Sequence, residues 1–240
     1  MLPNSGSPFS NIPPVVKNLL IINIIGFIGT LIFPLSTRLF GVFYPDSPFF
    51  HSWQIITYMF MHGSIAHIFF NMFALFMFGP VIEHMLGPKR FLNFYLITGL
   101  GALALQFLVQ GIEVYNIIGT PFAKDYLNFG MVSSQYPGLS QADFNTIASI
   151  YSSKMVGASG AIFGILVAFG YLFPNTSLYL LFIPVPIKAK YFIPVYILIE
   201  VFLGFSRFAG DSVAHFAHIG GALFGFILLK IWNIKRPTLW

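Results

Sequence analysis

Six stretches of roughly 20 mostly apolar residues run along the chain, and most of the charged residues fall between them. They cover residues 15–35, 63–82, 91–110, 156–173, 191–205 and 213–233. A helix of that length matches the hydrocarbon core of a bilayer, about 30 Å at about 1.5 Å per residue. The fifth stretch is short, and Pro174, Pro184, Pro186 and Pro194 punctuate its surroundings. The expected fold class is therefore an all-α polytopic membrane protein. Residues 1–14 would form a polar N-terminal tail, 15–233 a six-span membrane domain and 234–240 a short tail.

Composition excludes the main alternatives. Charged residues make up 8% of the 240 residues, against about 25% in soluble domains. Hydrophobic residues make up 57%, 30 of them Phe, and mean hydropathy is +0.81. Too little polar surface remains to cover a soluble fold, which excludes a cytosolic globular enzyme, a nucleic-acid binder and a disordered chain. The net charge of +5 is scattered between apolar runs and forms no phosphate-reading patch. With no cysteine, thiolate catalysis, disulfides and cysteine metal sites are excluded. The Pro/Ser/Asn-rich start lacks a basic segment before its first apolar run, so that run is expected to be a retained span and not a signal peptide.

Lys and Arg set the expected orientation. With the N-terminus inside, eight fall inside (Lys17, Lys89, Arg90, Lys188, Lys190, Lys230, Lys235, Arg236) and four outside (Arg38, Lys124, Lys154, Arg207). Both termini are thus expected in the cytoplasm, with the bacterial inner membrane as host. Two outside segments are long. Residues 36–62 are rich in aromatics and Pro, suited to the interface. Residues 111–155 carry Asp125, Ser133, Ser134, Gln135 and Asp143 and read as solvated, either binding substrate or covering a cavity mouth.

Polar groups are expensive within a bilayer, so each needs a reason. His67 and Asn71, preceded by His62, share one helix face at i, i+4 on the second span. Gly157-Ala158-Ser159-Gly160 opens the fourth span, where free backbone N–H groups can face a developing negative charge. His218, Gly221 and Gly225 share a face of the sixth span, with His215 one turn earlier. Gly221 and Gly225, like Gly160 and Gly164, form the small-residue spacing that lets two helices approach closely. Read singly, each feature is more readily a packing motif. Read together, Ser159, His218, His67 and Asn71 come from three spans and all fall in the outer half of the bilayer. One polar cavity open to the outside accounts for all four.

The chemistry follows from residue types. Serine needs a base to take its proton, and His218 is the candidate. No Asp or Glu is expected in the outer half of the spans, which points to a Ser–His dyad rather than a triad. Glu200 reads as a mid-span carboxyl hydrogen-bonded within the bundle, and Glu83 as a partner of the inner loops. Oxyanion donors would be the Ser159 N–H, the Asn71 side chain and the His67 ring. No metal is expected, because His62/His67 and His215/His218 lack a nearby carboxylate in sequence and the His-Glu-x-x-His pattern is absent. No cofactor is implied.

These residues resemble the rhomboid intramembrane serine proteases. The matching pieces are His62-Gly-Ser-Ile-Ala-His67-Ile-Phe-Phe-Asn71, Glu83-His-Met-Leu-Gly87, Gly157-Ala-Ser159-Gly160 and Ala217-His218-Ile-Gly-Gly221, in the family's order and span assignment. The resemblance covers about residues 53–225. It implies a compact six-helix rhomboid fold, Ser159 as nucleophile, His218 as general base, and His67 and Asn71 as oxyanion stabilisers. It implies single-span membrane proteins as substrates, cut in or near the outer part of their membrane segment, with the fifth span and the loop before the sixth as lateral gate and cap. Two departures stand out. Trp53-Gln54 replaces the family's frequent Trp-Arg, and Phe163 replaces a Tyr against which the catalytic His stacks in some members. A client-binding relative without activity usually lacks the Ser or the His, and both are present here. A transporter would need a polar path inward, which Ala161-Ile-Phe-Gly-Ile-Leu-Val-Ala-Phe does not offer.

Overall fold

The computed structural model describes residues 12–123, 138–180, 183–206 and 213–237. Lys124, Arg207, Asp125, Ser133, Ser134 and Gln135 lie outside the described residues, as do residues 1–11 and 238–240 of the two expected tails.

Four helices are long and apolar enough to cross a membrane: α1 (Pro14–Ile32), α4 (Ile65–Leu86), α5 (Pro88–Ile118) and α8 (Ala189–Ser206). Two shorter apolar helices, α7 (Ser159–Leu172) and α9 (His215–Ile231), stand at the fourth and sixth expected spans. Outside them lie α2 (Ser36–Phe40), α3 (Gln54–Thr57) with a 3-10 turn (Tyr58–Phe60), and α6 (Gln141–Ser152). A hairpin, β1 (Ser177–Leu180) antiparallel to β2 (Ile183–Lys188), precedes α8 with Ser177 opposite Lys188. No strand signal was read there. A two-stranded ribbon tolerates the prolines of β2 because each strand keeps one unpaired edge.

Local chemistry sets the boundaries. Pro13 caps α1 and Pro14 takes its first helical position, where a missing N–H costs nothing. The next two amides, Val15 and Val16, donate to the Glu83 carboxylate of α4 at 3.0 and 2.8 Å. Glu83 thus satisfies the free N-terminal donors of another helix in place of water. Gly87, at φ +77°, ends α4, and Pro88 starts α5 at once. The third span is longer than the sequence suggests: α5 runs on to Ile118 and stops at Gly119, φ +76°.

The centre of the bundle is α7, in which Gly160 through Phe169 are all buried. It packs against α4, α5 and α9, while α1 and α8 stand further out. Ile25, Leu31, Phe69, Phe70, Leu198 and Phe202 project outward from α1, α4 and α8. Apolar surface of that extent is what a bilayer covers, and the chain is an integral membrane protein.

Glycine sets how closely the central helices meet. A Cβ on Gly221 would collide with the Gly160 carbonyl oxygen, and one on Gly225 would lie 2.8 Å from the Gly164 Cα. Between helices already in lipid, such van der Waals contact supplies association that the hydrophobic effect cannot.

The outer segment after α5 is not a plain solvated loop. Ser140 caps α6 by accepting from the Asp143 amide, and Ile147, Ile150 and Tyr151 of α6 pack with Tyr44 and Val114 in a second apolar cluster. Tyr151 donates its hydroxyl to Asp46 at 2.8 Å, and Ser47 donates to the Tyr151 carbonyl at 2.6 Å. Burial and the Asp46 carboxylate push the Tyr151 hydroxyl far above its ordinary pKa, so it stays a donor.

Candidate active site

A 14-residue helix is about 21 Å long and falls short of the hydrocarbon core. Its first residue is Ser159, and the chain leading to it is non-helical. That chain is fastened to the first outer segment. Val42 and Met155 exchange backbone hydrogen bonds of 2.9 and 2.8 Å, and the Gly157 amide donates to the Tyr58 carbonyl at 2.9 Å. Gly157 adopts φ +129°, and a Cβ there would lie 2.7 Å from His67 Nε2. Only glycine fits both constraints.

The first outer segment is in turn held by Gln54, which is fully buried. Its Nε2 donates to the carbonyls of Phe49, Leu39 and Arg38 at 3.1, 3.3 and 3.4 Å, and its Oε1 accepts from the His51 amide at 3.0 Å. Trp53 donates its indole N–H to Leu39 as well. Gln54 is an anchor that the sequence reading had noted only as a departure from Trp-Arg. Its amide carries donors and an acceptor together, so it satisfies this loop without a charge.

Ser159 and His218 meet across α7 and α9, with Oγ 2.8 Å from Nε2. Phe163, one turn below Ser159, stacks on the His218 ring with centroids 4.3 Å apart and planes 10° from parallel. On α4, the Gly63 amide donates to His67 Nδ1 at 3.4 Å, which leaves Nε2 to carry the proton. That nitrogen is the one lying against Gly157, close to Ser159. Asn71, buried, donates one N–H to the His67 carbonyl at 3.0 Å and keeps a second. His62 packs edge-on against the His67 ring, 4.9 Å between centroids, and burial pushes its pKa down to about 3. The structure thus brings together Ser159, His218, His67, Phe163 and Gly157, with Gly160, Gly164, Gly221 and Gly225 forming the helix contact beneath them.

Glu200 is hydrogen-bonded within the bundle, as expected, and its partners are two histidines at the site. It is 5% exposed, and its Oε2 lies 2.8 Å from His218 Nδ1 and 2.6 Å from His215 Nδ1. It stands six residues before the end of α8, in the C-terminal half of that helix. The expectation that no carboxylate lies near enough to orient His218 is corrected: the Glu200 carboxylate meets its Nδ1. The sequence carried one usable signal, a His-x-x-His pair presenting two donors that need a common acceptor.

The same contact removes the ground on which a metal was discounted, since His215 and His218 do have a carboxylate neighbour. Among the described residues, Glu200, His215 and His218 form the group that could hold a metal ion, their ligand atoms within 4.8 Å of one another. The N···O spacings of 2.6 and 2.8 Å suit hydrogen bonds. A tetrahedral zinc with bonds of about 2.0–2.1 Å would hold its donors about 3.3 Å apart. As arranged, both imidazoles donate to the carboxylate.

Comparison with known proteins gives a coherent answer. The family model for the Rhomboid domain matches residues 50–233. The chain is 26% identical to an uncharacterised mitochondrial rhomboid protein of Schizosaccharomyces pombe, over 78% of this chain and 53% of that protein. It is 30% identical to the rhomboid protease GluP of Bacillus subtilis, over 77% of this chain and 27% of that protein. It is 29% identical to the rhomboid protease AarA of Providencia stuartii, over 77% of this chain and 57% of that protein. The chain spans about half, or less, of the length of these relatives.

Proposed function

The chain belongs to the rhomboid family, and on that premise we propose that it is an intramembrane serine endopeptidase acting on single-span membrane proteins through Ser159 and His218. The observation that carries this reading is the 2.8 Å contact between Ser159 Oγ and His218 Nε2, with the imidazole fixed by the stacked Phe163.

In the reaction, Ser159 Oγ bonds to the scissile carbonyl carbon as its proton passes to His218 Nε2. Negative charge then develops on the carbonyl oxygen. The Ser159 N–H at the start of α7, the second Asn71 N–H and His67 Nε2–H are the donors proposed to meet it. The intermediate collapses, the C–N bond breaks and the leaving amine takes the proton from His218. Water, deprotonated by the same imidazole, hydrolyses the acyl-enzyme and restores the serine.

Substrate would approach from the bilayer past α8, which packs less extensively against the bundle than α9 does. A half-buried serine at the start of a packed helix cannot reach a peptide bond that is still helical, so cleavage is expected in the outer part of the substrate span, where helix-weakening residues free the backbone. The Lys and Arg distribution supports cytoplasmic termini and a site opening to the opposite side. The bacterial relatives support the bacterial inner membrane as host; others named among the relatives are mitochondrial.

The test is reaction of the purified protein in mild detergent with a fluorescent fluorophosphonate, alongside folded Ser159→Ala and His218→Ala. Labelling of the wild type alone is the expected result. If folded wild type stays unlabelled and also leaves a single-span substrate intact in liposomes, the protease reading fails and client binding takes its place.

A further inference from the structure

We propose that Glu200 is the positioning residue of the catalytic base, so that this chain works with a Ser159–His218–Glu200 line in place of a bare Ser–His pair. The inference rests on the reading of His218 as base and goes beyond it.

Three observations support it. The carboxylate is buried and shares one oxygen between two imidazoles. A buried carboxylate is costly unless donors compensate it, and a tie between α8 and α9 could be built from uncharged groups at lower cost. The second observation is which nitrogen it meets. Its contact with His218 is to Nδ1, while Nε2 faces Ser159. A carboxylate has no proton to give, so Nδ1 must carry the hydrogen, and Nε2 is left with the lone pair that can accept the serine proton. Glu200 thereby selects the one neutral tautomer that can act as base. The third observation is orientation. Phe163 fixes the plane of the imidazole by stacking but leaves it free to turn within that plane, and the bond from Glu200 removes that freedom.

The charge matters separately from the hydrogen bond. As His218 takes the serine proton it becomes a cation in a site of low dielectric, and the facing carboxylate stabilises that cation. His215 tempers the effect by donating to the same oxygen. His215 also lines an open cavity of about 450 Å³, with Gln106, Gln110, Glu113, Asn145 and Thr146. Among the described residues, the titratable groups that bear on His218 are Glu200 of α8, with Tyr196 beside it, His67 of α4, and His215 on its own helix; α7 contributes the uncharged Ser159 and Phe163.

The test uses the full chain in liposomes with a fluorogenic single-span substrate, comparing wild type, Ser159→Ala and Glu200→Gln across pH. Cleavage by wild type and none by Ser159→Ala establishes the serine chemistry. Without that, the protease reading fails, and this inference falls with it. Given that, Glu200→Gln keeps an acceptor for Nδ1–H and loses only the charge. Its kcat is expected to fall about 10- to 100-fold, KM to stay within about twofold, and the acid limb of the profile to move about one unit to lower pH. A kcat and acid limb equal to wild type, or a change in KM alone, overturns the proposal, since a merely structural tie would not move the limb. If Glu200→Gln does not fold, Glu200→Asp and Glu200→Asn carry the test, because they differ in charge at the same length. Asp is expected to keep the wild-type limb and exceed Asn in kcat by about tenfold; equal values for the two overturn it.

Discussion

Gly157 and His67 occupy one shared space: a Cβ on Gly157 would stand 2.7 Å from His67 Nε2, on a backbone held at φ +129°. The glycine lets the chain before the nucleophile pass directly under the ring that is expected to face the oxyanion. Gly157→Ala should therefore push His67 aside and strain the turn, while adding no atom between Gly160 and Gly221. We expect kcat to fall at least about tenfold with Tm in detergent lowered only modestly, measured by substrate cleavage and thermal unfolding side by side. Full activity in the alanine variant would show that His67 Nε2 has no part in the reaction.

Asn71 donates one amide hydrogen along its own helix, to the His67 carbonyl, and keeps the other for the site. If that second hydrogen meets the oxyanion, its contact strengthens only as charge develops. Asn71→Ala is then expected to lower kcat by about 10²–10³ with little change in KM. Steady-state kinetics in liposomes read this directly, and a rise in KM alone would assign Asn71 to substrate positioning.

The glycine contacts make a matched pair for stability. Gly221 has no room for a methyl group because the Gly160 carbonyl lies in the way, whereas a Cβ on Gly29 of α1 would meet nothing within 4 Å. Gly221→Ala should cost about 1–3 kcal/mol and open the Ser159–His218 distance. Gly29→Ala should be neutral or gain up to about 1 kcal/mol, from the helix preference of alanine. Thermal unfolding of both variants in one detergent checks the contrast.

His62 lies just ahead of α4, fully buried, and burial together with the His67 ring beside it pushes its pKa down to about 3. A lowered histidine pKa favours the neutral ring, so His62 should remain neutral as pH falls from about 8 to about 4. Histidine ring resonances followed by NMR across that range should show no titration for His62. An acid limb in cleavage then reports on the base and not on this residue. Protonation of His62 near pH 6 would mean that water reaches its pocket.

Much of this architecture is legible in sequence because the bilayer imposes it. Span length, the cost of buried polar groups and the one-per-turn repetition of glycine are local quantities, readable by counting. They placed Ser159, His218, His67 and Asn71 at one depth, and in the structure Ser159, His218 and His67 converge with Phe163 and Gly157. The same counting located Glu83 at the inner end of α4, where it caps α1.

Glu200 shows where counting stops. The sequence determined that a carboxyl group lies on the fifth span and that two histidines open the sixth. It left that carboxyl near the middle of its span, with no indication that it meets either histidine. Nor could it determine which way the carboxyl faces. The rotation of α8 about its axis is set by contacts with α7 and α9, residues far away in the chain. The same holds for Gln54, whose three carbonyl partners are brought within reach only by the folded outer segment. Periodicity along one helix specifies a face. What that face meets depends on how separate helices pack, and there tertiary structure alone placed a carboxylate behind the base.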